Sequence, residues 1–396
     1  MKKTIILAIL SILFLISSCG PKDNPALYKG VKIMAYYFPR DQVHPQDLPL
    51  NKLSDIFYAF TEVIDNEMKF PRDSSGIYLR ALVAQKRQHP NLNVMISCGG
   101  WGGSGGFSEM ARSEDNRKKF VKSAVNFLKK YKLDGLDIDW EYPGMPGIGN
   151  PYIPEDRENF TALMRDLRTA MDASGKKMLL TFAAAGWVRE FDHIDLDEVM
   201  KYADYINLMT YDLSGGNDPY TSHHTNLGFV SQEDLAGTPG DSVMKAEMDT
   251  LGPRSSEKII KFCIDHGVNP NQIVIGSGFY GKGWVGVSPV NNGLYQLAKG
   301  PFRGHLSFEN LQANFENKNG FTRYWDPVAK APFLYNSQDS TFITYEDTLS
   351  VKLKTEYAVK EHLGGIMFWQ LLSDAPENGL LDAIYNEKMR LETKNQ

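Results

Sequence analysis

Eight short runs, at 31–38, 56–61, 92–97, 135–141, 178–184, 205–211, 273–279 and 365–370, are apolar, β-branched and aromatic with little alternation. Continuous hydrophobicity is what a parallel strand covered on both faces requires, whereas a half-exposed strand alternates. Between several of these runs, apolar residues recur at helical spacing. In 109–130, Phe120, Val121, Ala124, Val125, Phe127 and Leu128 form one stripe of a lysine-rich helix. Segments 156–171 and 255–266 repeat that layout. The alternation predicts the α/β class, and eight strands within one stretch, 30–390, predict a closed (β/α)8 TIM barrel. An open doubly wound sheet is the alternative architecture.

The alternation fails once, between the seventh and eighth runs. Segment 285–350 carries aromatic and β-branched clusters at 320–325 and 340–345. A structureless loop of that length is unusual in a compact domain, so a small α+β insertion is expected. Insertions that follow the C-terminal end of a barrel strand flank the face where barrel active sites are built.

The first residues are a different material. Lys2 and Lys3 precede an apolar run at 4–16, then small Ser17 and Ser18, then Cys19, the layout of an export signal over 1–19. The run is shorter than the ~20 residues that cross a bilayer as a helix. Residues 16–19 resemble the lipobox of bacterial lipoproteins, which implies lipidation of Cys19 and a membrane-anchored protein on the periplasmic or cell-surface face of the envelope. Ordinary signal cleavage is the alternative. Segment 20–29 is expected to be a tether.

Composition narrows the picture further. The 396 residues carry a formal charge of -5, with 23% charged and 42% hydrophobic residues, which excludes the basic field that nucleic acid demands. Beyond Cys19 only Cys98 and Cys263 remain. Neither has zinc-site spacing, and both are expected to be buried apolar residues.

The chemistry concentrates in Asp134-Gly-Leu-Asp137-Ile-Asp139-Trp-Glu141-Tyr-Pro143. Alternate strand residues share a face, so Asp137, Asp139 and Glu141 form a file of acids roughly 6 to 7 Å apart per step. Leu136, Ile138 and Trp140 face the other way. Three acids on a buried strand cannot all ionise cheaply, so at least one proton stays within the file. A proton-holding carboxyl at a barrel mouth is what a general acid needs, and Glu141 lies furthest along the strand. A metal site or a structural acid cluster is the rival reading; no histidine spacing supports the metal.

This stretch resembles the signature of glycoside hydrolase family 18, Asp-Gly-x-Asp-x-Asp-x-Glu, at every fixed position. Ser97-Cys-Gly-Gly-Trp101, Met209-Thr-Tyr211-Asp212, Phe279-Tyr-Gly-Lys-Gly-Trp284 and Met367-Phe-Trp369-Gln-Leu371 resemble further family motifs in chain order. The resemblance implies a retaining hydrolase of β-1,4-linked N-acetylglucosamine polymers, chitin or its oligosaccharides, working by substrate assistance. Glu141 would protonate the glycosidic oxygen while the substrate's acetamido oxygen attacks C1, giving an oxazolinium ion with no enzyme nucleophile. Asp139 would orient the acetamido N–H, Asp137 would support Asp139, and Tyr211 would steady the acetyl oxygen. Trp369 would floor the scissile sugar, Asp212 would bond the distorted ring, and Met209, Tyr36, Trp101, Tyr142 and Tyr280 are candidate cleft residues. The resemblance implies no cofactor, and the chain is expected to act as a monomer.

Two positions depart from the family pattern. Gly215-Gly-Asn217-Asp218 lacks the tryptophan of the family's Gly-x-Trp-Asp, and Lys282 stands where arginine is common, keeping charge but losing a planar fork. His223 and His224, adjacent in a polar loop, are expected to be solvated. Family relatives that release N-glycans or trim wall glycans, and chitinase-like lectins that bind without cutting, are the alternatives. Retention of Glu141 argues against the lectin.

Overall fold

The computed structural model describes residues 30–394 except 40–42, 73–74, 243–244 and 246–253. The expected export signal, Cys19 and the tether therefore lie outside the described residues. Along the chain the first strands are β1 (Lys32–Tyr37), β2 (Asp55–Ile64), β3 (Glu67–Lys69), β4 (Asn93–Gly99), β5 (Gly135–Asp139), β6 (Leu179–Ala185) and β7 (Tyr205–Met209). They are followed by β8 (Ile273–Gly278), β9 (Lys282–Val285), β10 (Gly300–Pro301), β11 (Phe321–Asp326), β12 (Ala331–Asn336), β13 (Thr341–Thr344) and β14 (Gly365–Trp369).

Strands β1, β2, β4, β5, β6, β7, β8 and β14 pair side by side, all parallel. β14 pairs back onto β1, so the sheet closes into a barrel, and all eight apolar runs are its strands. Alternate residues divide between two cores. Met34, Tyr36, Phe57, Met95, Tyr205, Val274 and Met367 fill the barrel. Ile33, Leu136, Ile138, Phe182 and Ile366 pack outward with the surrounding helices. Each fully buried large apolar side chain contributes roughly 1.5–3 kcal/mol, which is why unbroken apolar runs become barrel strands.

Helices Glu114–Tyr131, Asp156–Asp172 and Ser256–Asp265 lie where the sequence spacing puts them. The first differs in one respect: the expected continuous helix at 109–130 is two, Phe107–Ala111 and Glu114–Tyr131. Ser113 starts the second by accepting the Asn116 N–H with its side chain, a cap that outweighs the continuity of the stripe.

Between β8 and β14 the chain builds a second, antiparallel sheet in the order β10-β9-β13-β12-β11, with the helix Phe308–Asn314 beside it. Trp284, Leu294, Phe333, Tyr335 and Phe342 form its core. This sheet corrects the reading of the two adjacent histidines. His223 and His224 are buried, at 3% and 0% exposure, because the insertion covers the loop after β7. His223 Nε2 lies 3.2 Å from Asp326 Oδ2, which also accepts the Tyr295 hydroxyl at 2.7 Å. Cys98 and Cys263 are free and buried.

Candidate active site

The acid file sits where β5 reaches the C-terminal mouth of the barrel. The strand itself ends at Asp139, so Glu141 stands just past it, on the turn that leaves the sheet. Asp137 is fully buried and receives four side-chain donors: Thr181 Oγ1 at 2.6 Å, Ser97 Oγ at 2.8 Å, Tyr36 Oη at 2.9 Å and Asn207 Nδ2 at 3.1 Å. Burial raises its pKa, and those donors pull against the rise. Asp139 has no such support. Its Oδ1 is buried without a hydrogen-bond partner, and burial, then Glu141, Asp137 and Glu190, push its pKa well above the carboxylate range.

Glu141 is 8% exposed and opens onto the cleft. Burial raises its pKa to about 7; Asp212 adds to the rise and a hydrogen bond from Tyr142 opposes it. At neutral pH this carboxyl is therefore divided between acid and base, the condition for a group that gives and later recovers a proton. The backbone around it is held in place. Glu141 N–H donates to Ser104 Oγ at 2.9 Å, and the Asn150 amide donates to the Glu141 carbonyl at 3.1 Å. Gly99, at φ 116°, runs so close beneath that a Cβ there would lie 2.0 Å from the Asp139 carbonyl oxygen, so no other residue fits.

The cleft above these acids has a volume of about 980 Å³. Its walls include Asp139, Glu141, Tyr36, Trp101, Tyr142, Met209, Tyr211, Asp212, Tyr280 and Trp369, which is every candidate catalytic or cleft residue except Asp137. Asp137 lies below, one strand step from Asp139. Trp369 ends β14 and stacks on Phe60, with ring centroids 5.5 Å apart and planes at 19°. Half-exposed Trp101 meets the Tyr142 ring at 6.4 Å. Opposite, Asp212 Oδ1 accepts the Tyr280 hydroxyl at 2.6 Å and pairs with Lys282 Nζ at 2.9 Å, so lysine makes an ion pair from the position where a guanidinium is common. Asn217 is exposed and does not line the cleft. Among the described residues no cluster of histidine, cysteine and acidic side chains is arranged to hold a metal ion.

Several site residues escaped the sequence reading. Thr181 and Asn207 are polar positions inside otherwise apolar strand runs, a signal that was available. Phe38, Phe60, Glu62, Arg72 and Trp187 also line the cleft, and nothing in their local sequence marks them. Glu190 is the fourth acid: it comes from the turn Val188–Asp192 after β6 and is fully buried.

The sequence matches the profile of glycosyl hydrolases family 18 over residues 32–374. It is 39% identical to Chitinase A1 of Niallia circulans over 300 residues, covering 73% of this chain and 42% of that protein. With Chitinase B of Serratia marcescens the identity is 29% over 399 residues, 88% of this chain and 78% of the relative. The chain thus spans about two fifths of the length of the first of these relatives. Among solved structures, an N-acetylglucosaminidase of family 18 from Paenibacillus barengoltzii superposes with a TM-score of 0.79 at 35% identity, covering 90% of this chain and all of that one. Chitinase ChiA74 of Bacillus thuringiensis gives 0.81 at 30%, covering 91% and 70%. A profile spanning nearly all the described chain and a barrel superposing on these structures lead to one conclusion: the chain belongs to glycoside hydrolase family 18.

Proposed function

We propose that the protein is a retaining glycoside hydrolase that cleaves β-1,4-linked N-acetylglucosamine chains, chitin or its oligosaccharides, with Glu141 as general acid and base. The observation that carries this reading is a carboxyl, buried but opening onto an aromatic cleft, whose burial raises its pKa to about 7, beside a second acid with an unpartnered oxygen. Glu141 delivers its proton to the bridging oxygen between two sugars. The free Asp139 Oδ1 accepts the acetamido N–H, which turns the acetyl oxygen toward C1 and compensates the cationic ring that follows. The Tyr211 hydroxyl, 4.0 Å from Met367 Sδ, donates to that acetyl oxygen. Trp369 takes the apolar face of the sugar. Water then enters against C1, activated by the Glu141 carboxylate, and configuration is retained.

The names of the relatives, chitinases and an N-acetylglucosaminidase, support the substrate class. The start of the sequence supports export and anchoring in a bacterial envelope through a lipid on Cys19, with the cleft facing the glycan. The decisive experiment assays wild type and Glu141→Gln side by side on chitin oligosaccharides and on an N-linked glycopeptide. The expected result is turnover of the oligosaccharides by wild type alone, with substrate binding kept in the variant. Cleavage of the glycopeptide in their place, or equal turnover by both proteins, overturns the reading.

A further inference from the structure

Because the barrel strands are all parallel, the cleft opens at the end where they finish, and every strand begins at the other end. At that second end the loops entering β4, β5 and β6 meet. Asp134, the residue before β5, accepts Lys86 from the turn before β4 and Lys176 Nζ, at 3.1 Å, from the loop before β6. Lys176 Nζ also donates to the Leu133 carbonyl at 2.7 Å. The three strands are neighbours in the sheet, so their entry loops form one continuous surface.

That surface is cationic. Arg87 before β4, Lys129, Lys130 and Lys132 at the end of the helix Glu114–Tyr131, and Lys177 before β6 are all exposed, and among the described residues none of them forms an ion pair. Lys130 and Arg80 lie over the same Tyr131 ring, at 5.2 and 5.9 Å from its centroid, which brings one more cation to the group. The acids beside them are already taken: Asp134 by Lys86 and Lys176, Asp172 and Asp204 by Arg168. The chain as a whole has a formal charge of -5, so this excess of positive charge is local. Like charges gathered without acids repel one another, and an anionic surface laid against them turns that repulsion into attraction.

The point where the chain leaves the barrel indicates which surface. The described chain starts at Gly30, just ahead of β1, and β1 begins at this same end. Its first residue, Lys32, pairs with Asp55 at the start of β2, and the Asn93 amide at the start of β4 joins them. The segment between Cys19 and Gly30 reaches at most about 35 Å when fully extended. A lipid on Cys19 would therefore hold the barrel close to the headgroups by the end that carries the unpaired cations. Lysine and arginine bind headgroup phosphates through charge-assisted hydrogen bonds.

We propose that the surface formed by the loops entering β4, β5 and β6 docks on anionic phospholipid, with the cleft turned to the opposite side, toward the glycan. This docking rests on the anchoring through Cys19 proposed above and adds a face and an orientation to it.

The test floats the full chain, and a variant carrying Lys129→Gln, Lys130→Gln, Lys132→Gln and Lys177→Gln, with vesicles of phosphatidylcholine alone or with about two fifths phosphatidylglycerol. An acyl anchor inserts into both kinds of vesicle, so the ratio between them reads the face alone. At about 0.05 M salt, wild type is expected to prefer the anionic vesicles by about tenfold or more and the variant by about twofold or less, and about 0.5 M salt should remove the preference. Turnover of chitin oligosaccharides is expected to be equal in the two proteins, because the substituted lysines lie at the far end from the cleft. Equal partition of wild type on both vesicles, an undiminished preference in the variant, or binding to soluble polyphosphate with none to the vesicles would each overturn the docking. Mass spectrometry of Cys19 in protein taken from the cell envelope separates the two readings. A chain without lipid that still prefers anionic vesicles removes the anchor and keeps the face, whereas a lipidated chain with no preference removes the face and keeps the anchor.

Discussion

The strained protonation of Glu141 predicts that the residue that makes the protein reactive also makes it less stable. Its carboxyl goes from an ordinary 4.5 to about 7 on folding, chiefly through burial. Below about pH 4.5 folded and unfolded chains both hold the proton, and the site contributes no difference. Between about 4.5 and 7 the unfolded chain releases the proton while the folded chain keeps it, so the folded state loses ground steadily as pH rises. Above about 7 both are ionised and the deficit is constant. At about 1.4 kcal/mol per tenfold change in equilibrium constant, it amounts to about 3 kcal/mol. Glu141→Gln removes the ionisation and with it the deficit. At roughly 2.1 cal/mol/K per residue of unfolding entropy, the 396-residue chain should gain about 4 °C in unfolding midpoint at pH 8. At pH 4 the two proteins should melt together. The assay is thermal unfolding of both proteins from pH 4 to 8.5, followed by circular dichroism or calorimetry. A difference that does not grow with pH, or a variant less stable than wild type at pH 8, would refute burial as the cause of the raised pKa.

Two further outcomes follow from the geometry. Asp139→Asn fills the position of the unpartnered oxygen with an amide that cannot take a negative charge, so kcat on chitin oligosaccharides should fall by about 10²-fold or more while KM moves less than about threefold. Equal losses in kcat and 1/KM would mean that the residue only binds. Lys354→Met strips the cation from Glu346, its buried partner at 2.6 Å, and from the Gly276 carbonyl and Thr225 hydroxyl, each 2.9 Å away. Removing one partner of such a pair costs about 3–5 kcal/mol, so unfolding midpoints should drop by several degrees, with part of the loss recovered when Glu346→Gln is added.

The barrel was legible because its strands obey one rule: both faces are dry, so the sequence has no room for alternation. The acid file was legible for the complementary reason, since Asp137 and Asp139 interrupt such a run with the two-residue period of a strand. What the pattern could not carry was partnership across the molecule. Asp137 is held by Thr181 on β6 and Ser97 on β4, its neighbours in the sheet, by Asn207 on β7, and by Tyr36 on β1, which meets it from across the closed barrel. The burial of His223 and His224 has the same origin. Their local sequence is polar, and the cover comes from β11 and its neighbours, about a hundred residues away. Glu190 sits in a stretch with the charge pattern of an ordinary surface turn, and only the path of that turn back under β6 buries it.

The two ends of the barrel treat buried acid in opposite ways, and the contrast explains why only one end is reactive. At the N-terminal end, Asp55 receives Lys32 Nζ at 2.9 and 3.0 Å and the Asn93 amide at 2.8 Å. Outside the barrel wall, Glu346 has Lys354. Each of these acids meets a cation, so its charge is settled by a partner that cannot leave, and no proton is at issue. At the C-terminal end Asp139, Glu141 and Glu190 face the same loss of water, and among the described residues none of the three is paired with a cation. A proton is then the counter-charge that remains, and a proton, unlike a lysine, can be handed to a substrate. Reactivity at this end follows from leaving these three acids without the lysine that Asp55 and Glu346 have; Lys282, in the same cleft, pairs with Asp212 instead. A cleft roomy enough for sugar rings then determines where that proton goes.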